Sequence, residues 1–136
     1  MKIIGLDGKE YDWKPRGSSA LDNKSSLHQN VKLLLKEIFP FDIIMEEVEL
    51  IGSRDWKGKK ELSVDFYIPN RNLMVEAHGE QHYSYSSFFY KQKFNFLKAK
   101  KRDCDKIRWC EQNQISLIVL NHKDKPDTWR QQIESR

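Results

Sequence analysis

Two carboxylates and a histidine-rich run in this 136-residue chain have side chains that can bind a metal ion or transfer a proton. Asp65 and Glu76 are each flanked by apolar residues. An acid in an apolar strand needs a reason to be there, because burying an unpaired charge is costly. The turn-forming segment 69–72 lies between them. Hairpin pairing would therefore bring both carboxylates to the same end of a sheet.

Converging carboxylates repel each other, and a bound Mg²⁺ would relieve that repulsion because the ion prefers oxygen ligands. In phosphodiester hydrolysis such an ion polarises the phosphoryl oxygen and helps to generate the attacking hydroxide. The alternative is that Asp65 and Glu76 are ordinary acids at the edge of a sheet. We favour the functional interpretation, since acids in unfavourable electrostatic settings cluster at functional sites.

The run from His78 to His82 follows Glu76 directly and reads His-Gly-Glu-Gln-His. Strand alternation places His78 on the Glu76 face, and the glycine at position 79 permits a sharp backbone turn before His82. Neutral imidazoles beside a metal–carboxylate centre can act as general bases or stabilise a phosphate, and Gln81 is a further candidate. A zinc site on His78 and His82 is a weaker alternative, because it requires two more ligands. A second alternative is that these histidines only form hydrogen bonds beneath a turn.

The positive charge of the chain is concentrated in its second half. Residues 1–68 carry 11 Lys/Arg and 12 Asp/Glu, a balance of −1, whereas residues 69–136 carry 13 and 8, a balance of +5. A block from Lys91 to Arg108 holds eight basic residues and can neutralise phosphates of nucleic acid. The alternative is that these basic residues form a solvated helix face that binds no partner.

The length of 136 residues predicts one domain, with an N-terminal hairpin and loop (1–24) followed by a core (25–136). We predict a β-hairpin over 1–13, a helix from Ser25 or Ser26 to about Pro40, and strands over 42–51, 62–68 and 73–78. A long helix or helix pair should end near Asn113, followed by a central strand over 115–120 and a helix over 126–135. In the long helix, we expect Leu97, Cys104, Ile107 and Cys110 on the buried side. The fold class is α/β, of the α+β layered kind, with a mixed central sheet flanked by helices.

Several classes of protein are disfavoured by the composition. No apolar run approaches the roughly 20 residues needed to span a bilayer, and we expect no signal peptide. The two cysteines do not form a disulfide framework, so a reducing, cytoplasmic location is expected.

These residues together resemble the PD-(D/E)XK nuclease superfamily, and within it the very-short-patch-repair-like (EDxHD) branch. The resemblance covers roughly residues 25–135, and five features of the sequence carry it: Val64-Asp65-Phe66, Val75-Glu76, Gly79, His82, and Arg102-Asp103 in a helix. It implies a restriction-endonuclease-like fold and a Mg²⁺- or Mn²⁺-dependent DNA endonuclease that makes nicks or double-strand breaks. The N-terminal hairpin stays unexplained by it.

The resemblance also implies roles for individual residues. Asp65 would be the central metal ligand, Glu76 the second acid of the core, and the Ala77 carbonyl a further ligand. His78 occupies the place where many members of the superfamily carry lysine.

Later in the chain, the resemblance matches His82 to the histidine of the branch and Asp103 to its late aspartate. Lys106, one turn from Asp103, would contact the scissile or a neighbouring phosphate. The predicted nucleic-acid-binding residues of this helix are Lys98, Lys101, Arg102 and Lys106.

The first helix departs from the pattern of the branch, which places a Glu early in that helix. Here His28 or Gln29 holds that place, and Glu37 lies near the helix end. Either Glu37 serves from a shifted position or the role is lost. The alternative function is therefore a degenerate nuclease fold that binds nucleic acid without cutting it. We expect DNA as the partner, no membrane, and specificity supplied by DNA structure, by a homodimer or by a larger protein partner.

Overall fold

The computed structural model describes residues 1–17, 26–54, 61–78 and 90–135, with the backbone alone for 90–100. Within these ranges, six strands and three α-helices follow one another in the order β-β-α-β-β-β-α-β-α, as predicted. The strands are β1 (Lys2–Ile4), β2 (Glu10–Asp12), β3 (Met45–Glu49), β4 (Ser63–Ile68), β5 (Leu73–His78) and β6 (Ser116–Asn121). The helices are α1 (Ser26–Ile38), α2 (Tyr90–Gln112) and α3 (Pro126–Glu134). No helix in the described ranges has the length and apolarity that a membrane crossing requires.

Four strands form a mixed sheet in the order β3-β4-β5-β6. The pairs β3–β4 and β4–β5 are antiparallel, and β5–β6 is parallel. A short 3₁₀ turn over Pro69–Arg71 closes the β4–β5 hairpin, and Asn72 ends it in the left-handed conformation with φ 50°. The parallel pair requires a crossover, which α2 provides. This topology confirms the predicted mixed sheet.

The faces of the sheet are covered by different helices. Helices α1 and α3 pack on one face through Val31, Leu35 and Ile133, against Phe66 and Val75.

The opposite face is covered by α2 and by the β1–β2 hairpin. Trp109 of α2 and Trp13, which directly follows β2, join Met74 of the sheet in a second buried apolar cluster. Their indole rings meet edge to face at 5.2 Å between centroids. Asn113, just after α2, donates to the Ile4 carbonyl at 2.9 Å and accepts from the Ile4 N–H at 2.6 Å. The N-terminal hairpin, which the family resemblance left unexplained, thus serves as a cover for α2.

The structure corrects two predictions about packing. The strand over 115–120 was expected to be central, but β6 lies at an edge of the described sheet. The burial pattern of α2 also differs, because Cys104 is exposed and Ile107 is 42% exposed, whereas Trp109 and Cys110 are buried. The indole Nε1 of Trp109 donates to the Ile51 carbonyl, which helps to set the rotation of the helix.

Candidate metal and catalytic site

The carboxylates of Asp65 and Glu76 each accept a hydrogen bond from a backbone N–H of the opposite strand. The Asp65 N–H donates to Glu76 Oε1, and the Ala77 N–H donates to Asp65 Oδ2, both at 2.8 Å. The regular pairing of β4 with β5 runs from Ile68↔Leu73 to Phe66↔Val75 and stops there. Beyond that point, the carboxylates accept bonds that backbone carbonyls accept in a regular ladder. Both acids are thereby held rigidly at one end of the hairpin, as the sequence predicted.

The pairing of β3 with β4 is also irregular, next to Asp65. In a regular strand, residues three apart point to opposite faces. Here Met45 and Val48 of β3 both contribute to the α2-side cluster, as do Val64 and Tyr67 of β4. The irregularity falls at Glu47, whose φ is 51°.

Glu47 thereby reaches the neighbourhood of Asp65. One potential ligand atom from each of His28, Glu47 and Asp65 lies within 4.8 Å of the others. The three come from α1, β3 and β4, so the group exists only once the helix has docked on the sheet. A carboxylate pair with an imidazole is a donor set that divalent metal ions accept.

His28 is a buried residue of α1 with a defined position. Its Nε2 lies 2.9 Å from Glu46 Oε1, and its ring stacks on Phe66 at 4.5 Å between centroids. The other Glu46 oxygen lies 2.8 Å from Lys32 Nζ. These contacts fix the imidazole at the inner surface of α1, beside the acids.

Lys106 approaches Glu76 from the α2 side. Its Nζ donates to Glu76 Oε2 at 3.0 Å, and both side chains are largely buried. Even with this cation, burial and then the charge of Asp65 raise the pKa of Glu76 to about 7. Burial likewise raises the pKa of Asp65, against the lowering effect of the Ala77 N–H and Lys106. The site holds more negative charge than its fixed cation neutralises.

His78 lies on the same face as Glu76, as predicted from alternation. Its Nε2 is 3.8 Å from Glu76 Oε2 and 3.6 Å from Asp103 Oδ1. The imidazole is buried between a carboxylate of β5 and a carboxylate of α2. An imidazole between two carboxylates is placed to exchange a proton with a neighbouring group.

Some of the predicted site residues lie together in the structure, and others lie apart or outside the described residues. The structure brings together Asp65, Glu76, Ala77, His78, Asp103, Lys106 and His28. The contact of Ala77 is made by its N–H, and ligation by its carbonyl stays a prediction. The exposed Lys101 and Arg102 lie on α2 away from these contacts. Gln81 and His82 lie outside the described residues, as does the side chain of Lys98.

Glu37 is not a member of the site. Its carboxylate is 69% exposed and lies 2.9 Å from Arg130 of α3. The shifted-acid hypothesis is therefore wrong, because the residue near the end of α1 points toward a neighbouring helix. His28, at the beginning of α1, occupies the position near Asp65.

Sequence reasoning missed Glu47. The acids Glu46, Glu47 and Glu49 follow one another in a strand-forming segment, and nothing local distinguishes the middle one. Antiparallel pairing of β3 with β4 places Glu46 opposite Phe66 and Val48 opposite Val64, so Glu47 lies at the level of Asp65. The signal was available only through the register of the two strands.

Part of the chain is similar to two viral proteins. A 71-residue stretch is 38% identical to "Uncharacterized protein 307L" of Invertebrate iridescent virus 6, covering 51% of this chain and 36% of that protein. A 64-residue stretch is 37% identical to "Uncharacterized protein 033L" of Invertebrate iridescent virus 3, covering 47% and 33%. The matched stretches thus span about a third of the length of these relatives. No family model and no solved structure matches the chain.

Proposed function

We propose that this protein is a metal-dependent nuclease that hydrolyses phosphodiester bonds of DNA. The observation that carries the proposal is the backbone-anchored pair of carboxylates, Asp65 and Glu76, beside Glu47 and His28 at one end of the sheet. The resemblance to PD-(D/E)XK nucleases, which includes Asp65 and Glu76 among its motif residues, supports the same chemistry.

The residues present fit a divalent cation. Asp65 and Glu47 offer carboxylate oxygens and His28 offers a ring nitrogen. Because burial raises the pKa of Asp65, a cation there would favour the ionised carboxylate and offset the cost of burying it. Mg²⁺ or Mn²⁺ would supply positive charge that polarises the phosphoryl oxygen and activates water.

The remaining groups have roles that follow from their contacts. Glu76 orients the β4 backbone through its bond to the Asp65 N–H, while Lys106 holds the second Glu76 oxygen. His78 lies between Glu76 and Asp103 and can hold a proton at Nε2 for transfer to a leaving oxygen. His82, outside the described residues, stays a predicted second histidine.

The surface of α2 provides cations for the nucleic-acid backbone. Lys101 and Arg102 are exposed, two residues and one residue before Asp103, so they border the site without being part of it. Phosphate contacts of this kind position a substrate and carry no sequence information. Lys106, in contrast, is engaged with Glu76, and we now assign it to the site itself.

A second candidate function is DNA binding without cleavage. It is favoured by the ion pair between Lys106 and Glu76, which already neutralises one of the two core acids. It is also favoured by the exclusion of Glu37 from the site, since the first helix then offers an imidazole where the related branch has an acid.

Cleavage of supercoiled, mismatched, branched and single-stranded DNA with Mg²⁺ or Mn²⁺ tests the proposal. We expect Asp65→Asn to lower the cleavage rate by about 100-fold or more, because the amide keeps the shape and loses the charge that binds the ion. Glu37→Gln is the matched control, since it removes an α1 carboxylate outside the site. Equal cutting by Asp65→Asn would refute the site, and salt-sensitive binding without cutting of any substrate would establish the second candidate.

A further inference from the structure

We propose that His28 gives the ion site a preference for first-row transition-metal ions, with Mn²⁺ as the probe, over Mg²⁺. The inference deepens the proposed function, because it names the class of ion that the same site takes. It concerns metal binding by the protein alone, and it is testable in the absence of DNA.

The donor set combines two kinds of ligand. Asp65 and Glu47 provide hard oxygen atoms, and His28 provides nitrogen, with one potential ligand atom of each within 4.8 Å of the others. Mg²⁺ demands near-octahedral oxygen coordination and gives up its waters reluctantly. Imidazole instead suits transition metals, whose affinity for nitrogen ligands exceeds that of Mg²⁺. A buried imidazole in the group therefore shifts the selectivity of the site.

The position of the imidazole is set before any ion binds. His28 is 5% exposed, and its ring is held between Glu46 at 2.9 Å and the face of Phe66. Metal-binding histidines commonly have a carboxylate on one ring nitrogen, which orients the ring and raises its basicity. Lys32, 2.8 Å from the second oxygen of Glu46, holds that carboxylate in turn.

The three candidate ligands differ in the atom that they offer, and this difference can be tested. Glu47 lies at the irregularity of β3 and offers oxygen, as Asp65 does, whereas His28 alone of the three offers nitrogen. Loss of the Glu47 carboxylate should weaken every divalent ion. Loss of the imidazole should weaken mainly the transition-metal ions.

The two affinities are measured by titrating the full chain with Mn²⁺ and with Mg²⁺. Calorimetry monitors both titrations, and the electron paramagnetic resonance signal of free Mn²⁺ monitors the first. We expect the wild type to bind Mn²⁺ about tenfold or more tightly than Mg²⁺. We expect His28→Gln to reduce the Mn²⁺ affinity by about tenfold or more and to leave the Mg²⁺ affinity within about threefold. Glu47→Gln should reduce both affinities, and Glu37→Gln should change neither.

An unchanged Mn²⁺/Mg²⁺ ratio in folded His28→Gln would overturn the inference, as would no Mn²⁺ binding to the wild type. Should His28→Gln fail to fold, pulsed electron paramagnetic resonance of Mn²⁺-loaded wild type decides the matter. Nitrogen coupling supports the inference and its absence overturns it. Selective Mn²⁺ binding without DNA cleavage would refute the proposed function alone, and cleavage with an unaltered ion preference in His28→Gln would refute this inference alone.

Discussion

At Glu76, burial and a neighbouring charge act against hydrogen bonding and an ion pair. Glu76 accepts from the Asp65 N–H and from Lys106, yet burial and the nearby Asp65 still raise its pKa to about 7. A carboxyl group with such a pKa changes its charge near neutral pH. Ionisation of Glu76 in the metal-free protein therefore lowers the free energy of unfolding by a measurable amount.

The sign of that cost gives a prediction for the stability of the metal-free protein. Between the ordinary pKa of 4.5 and about 7, folded Glu76 keeps a proton that the unfolded chain releases. Stability from this group is complete below 4.5 and is lost as the pH rises through 7. We expect the unfolding temperature to fall by about 3 °C or more between pH 5 and pH 8, and by less in Glu76→Gln.

Asp42→Asn is the control for this experiment. Its partners Arg71 and Asn70 lower the pKa of Asp42, so that group titrates below the tested range. The variant should keep the wild-type pH dependence between pH 5 and pH 8. A wild-type unfolding temperature that rises over this range would contradict the assignment of Glu76.

Helix α2 is the element that completes the site, because it carries Asp103 and Lys106. Its orientation depends on Trp109, which is fully buried, contacts Trp13 and donates to the Ile51 carbonyl. Residues 103 and 106 lie within two turns before this anchor, so the same helix rotation that buries Trp109 turns Lys106 toward Glu76. The hairpin β1–β2 contributes through Trp13, far from the acids in sequence.

Substitution of Trp109 tests the role of this anchor. We expect Trp109→Phe to lower the free energy of unfolding by about 1–3 kcal/mol, through lost volume and a carbonyl left without its donor. Ile107→Ala, at a 42% exposed position of the same helix, should cost about 0.5 kcal/mol or less. Urea denaturation measures both, and an equal loss would contradict the observed rotation of α2.

At the scale of the whole molecule, the uneven distribution of charge is the feature with functional consequences. The net charge is +4, and the exposed cations Lys101 and Arg102 are on α2, which covers the face of the sheet opposite α1. A nucleic acid that reaches the carboxylate centre from the α2 side would meet both cations.

The salt dependence of DNA binding tests this orientation. We expect the double substitution Lys101→Ala and Arg102→Ala to weaken duplex binding and to reduce the slope of log K against log salt by about 2, one for each lost phosphate contact. Lys36→Ala, at an exposed position of α1 in the opposite layer, should leave the slope unchanged. Fluorescence anisotropy at several salt concentrations measures it, and equal effects of the two variants would place the DNA elsewhere.

The order of elements, the mixed sheet and the shared face of Glu76 and His78 were predictable from the amino-acid sequence. These follow from periodicity and from a short hairpin turn, and both act over a few residues. The sequence also predicted that Asp65 would meet Glu76, because only the turn over 69–72 lies between their strands.

The other residues of the site are brought together by long-range packing. The register of β3 on β4 brought Glu47 to Asp65, and the docking of α1 placed His28 beside them. The same docking directed Glu37 to Arg130, and the rotation of α2 gave Lys106 to Glu76. These contacts join residues far apart in the chain, and their free energy depends on burial and strand register, which no local pattern encodes. The sequence predicted the pair of Asp65 and Glu76, and tertiary packing adds an imidazole and a lysine to it.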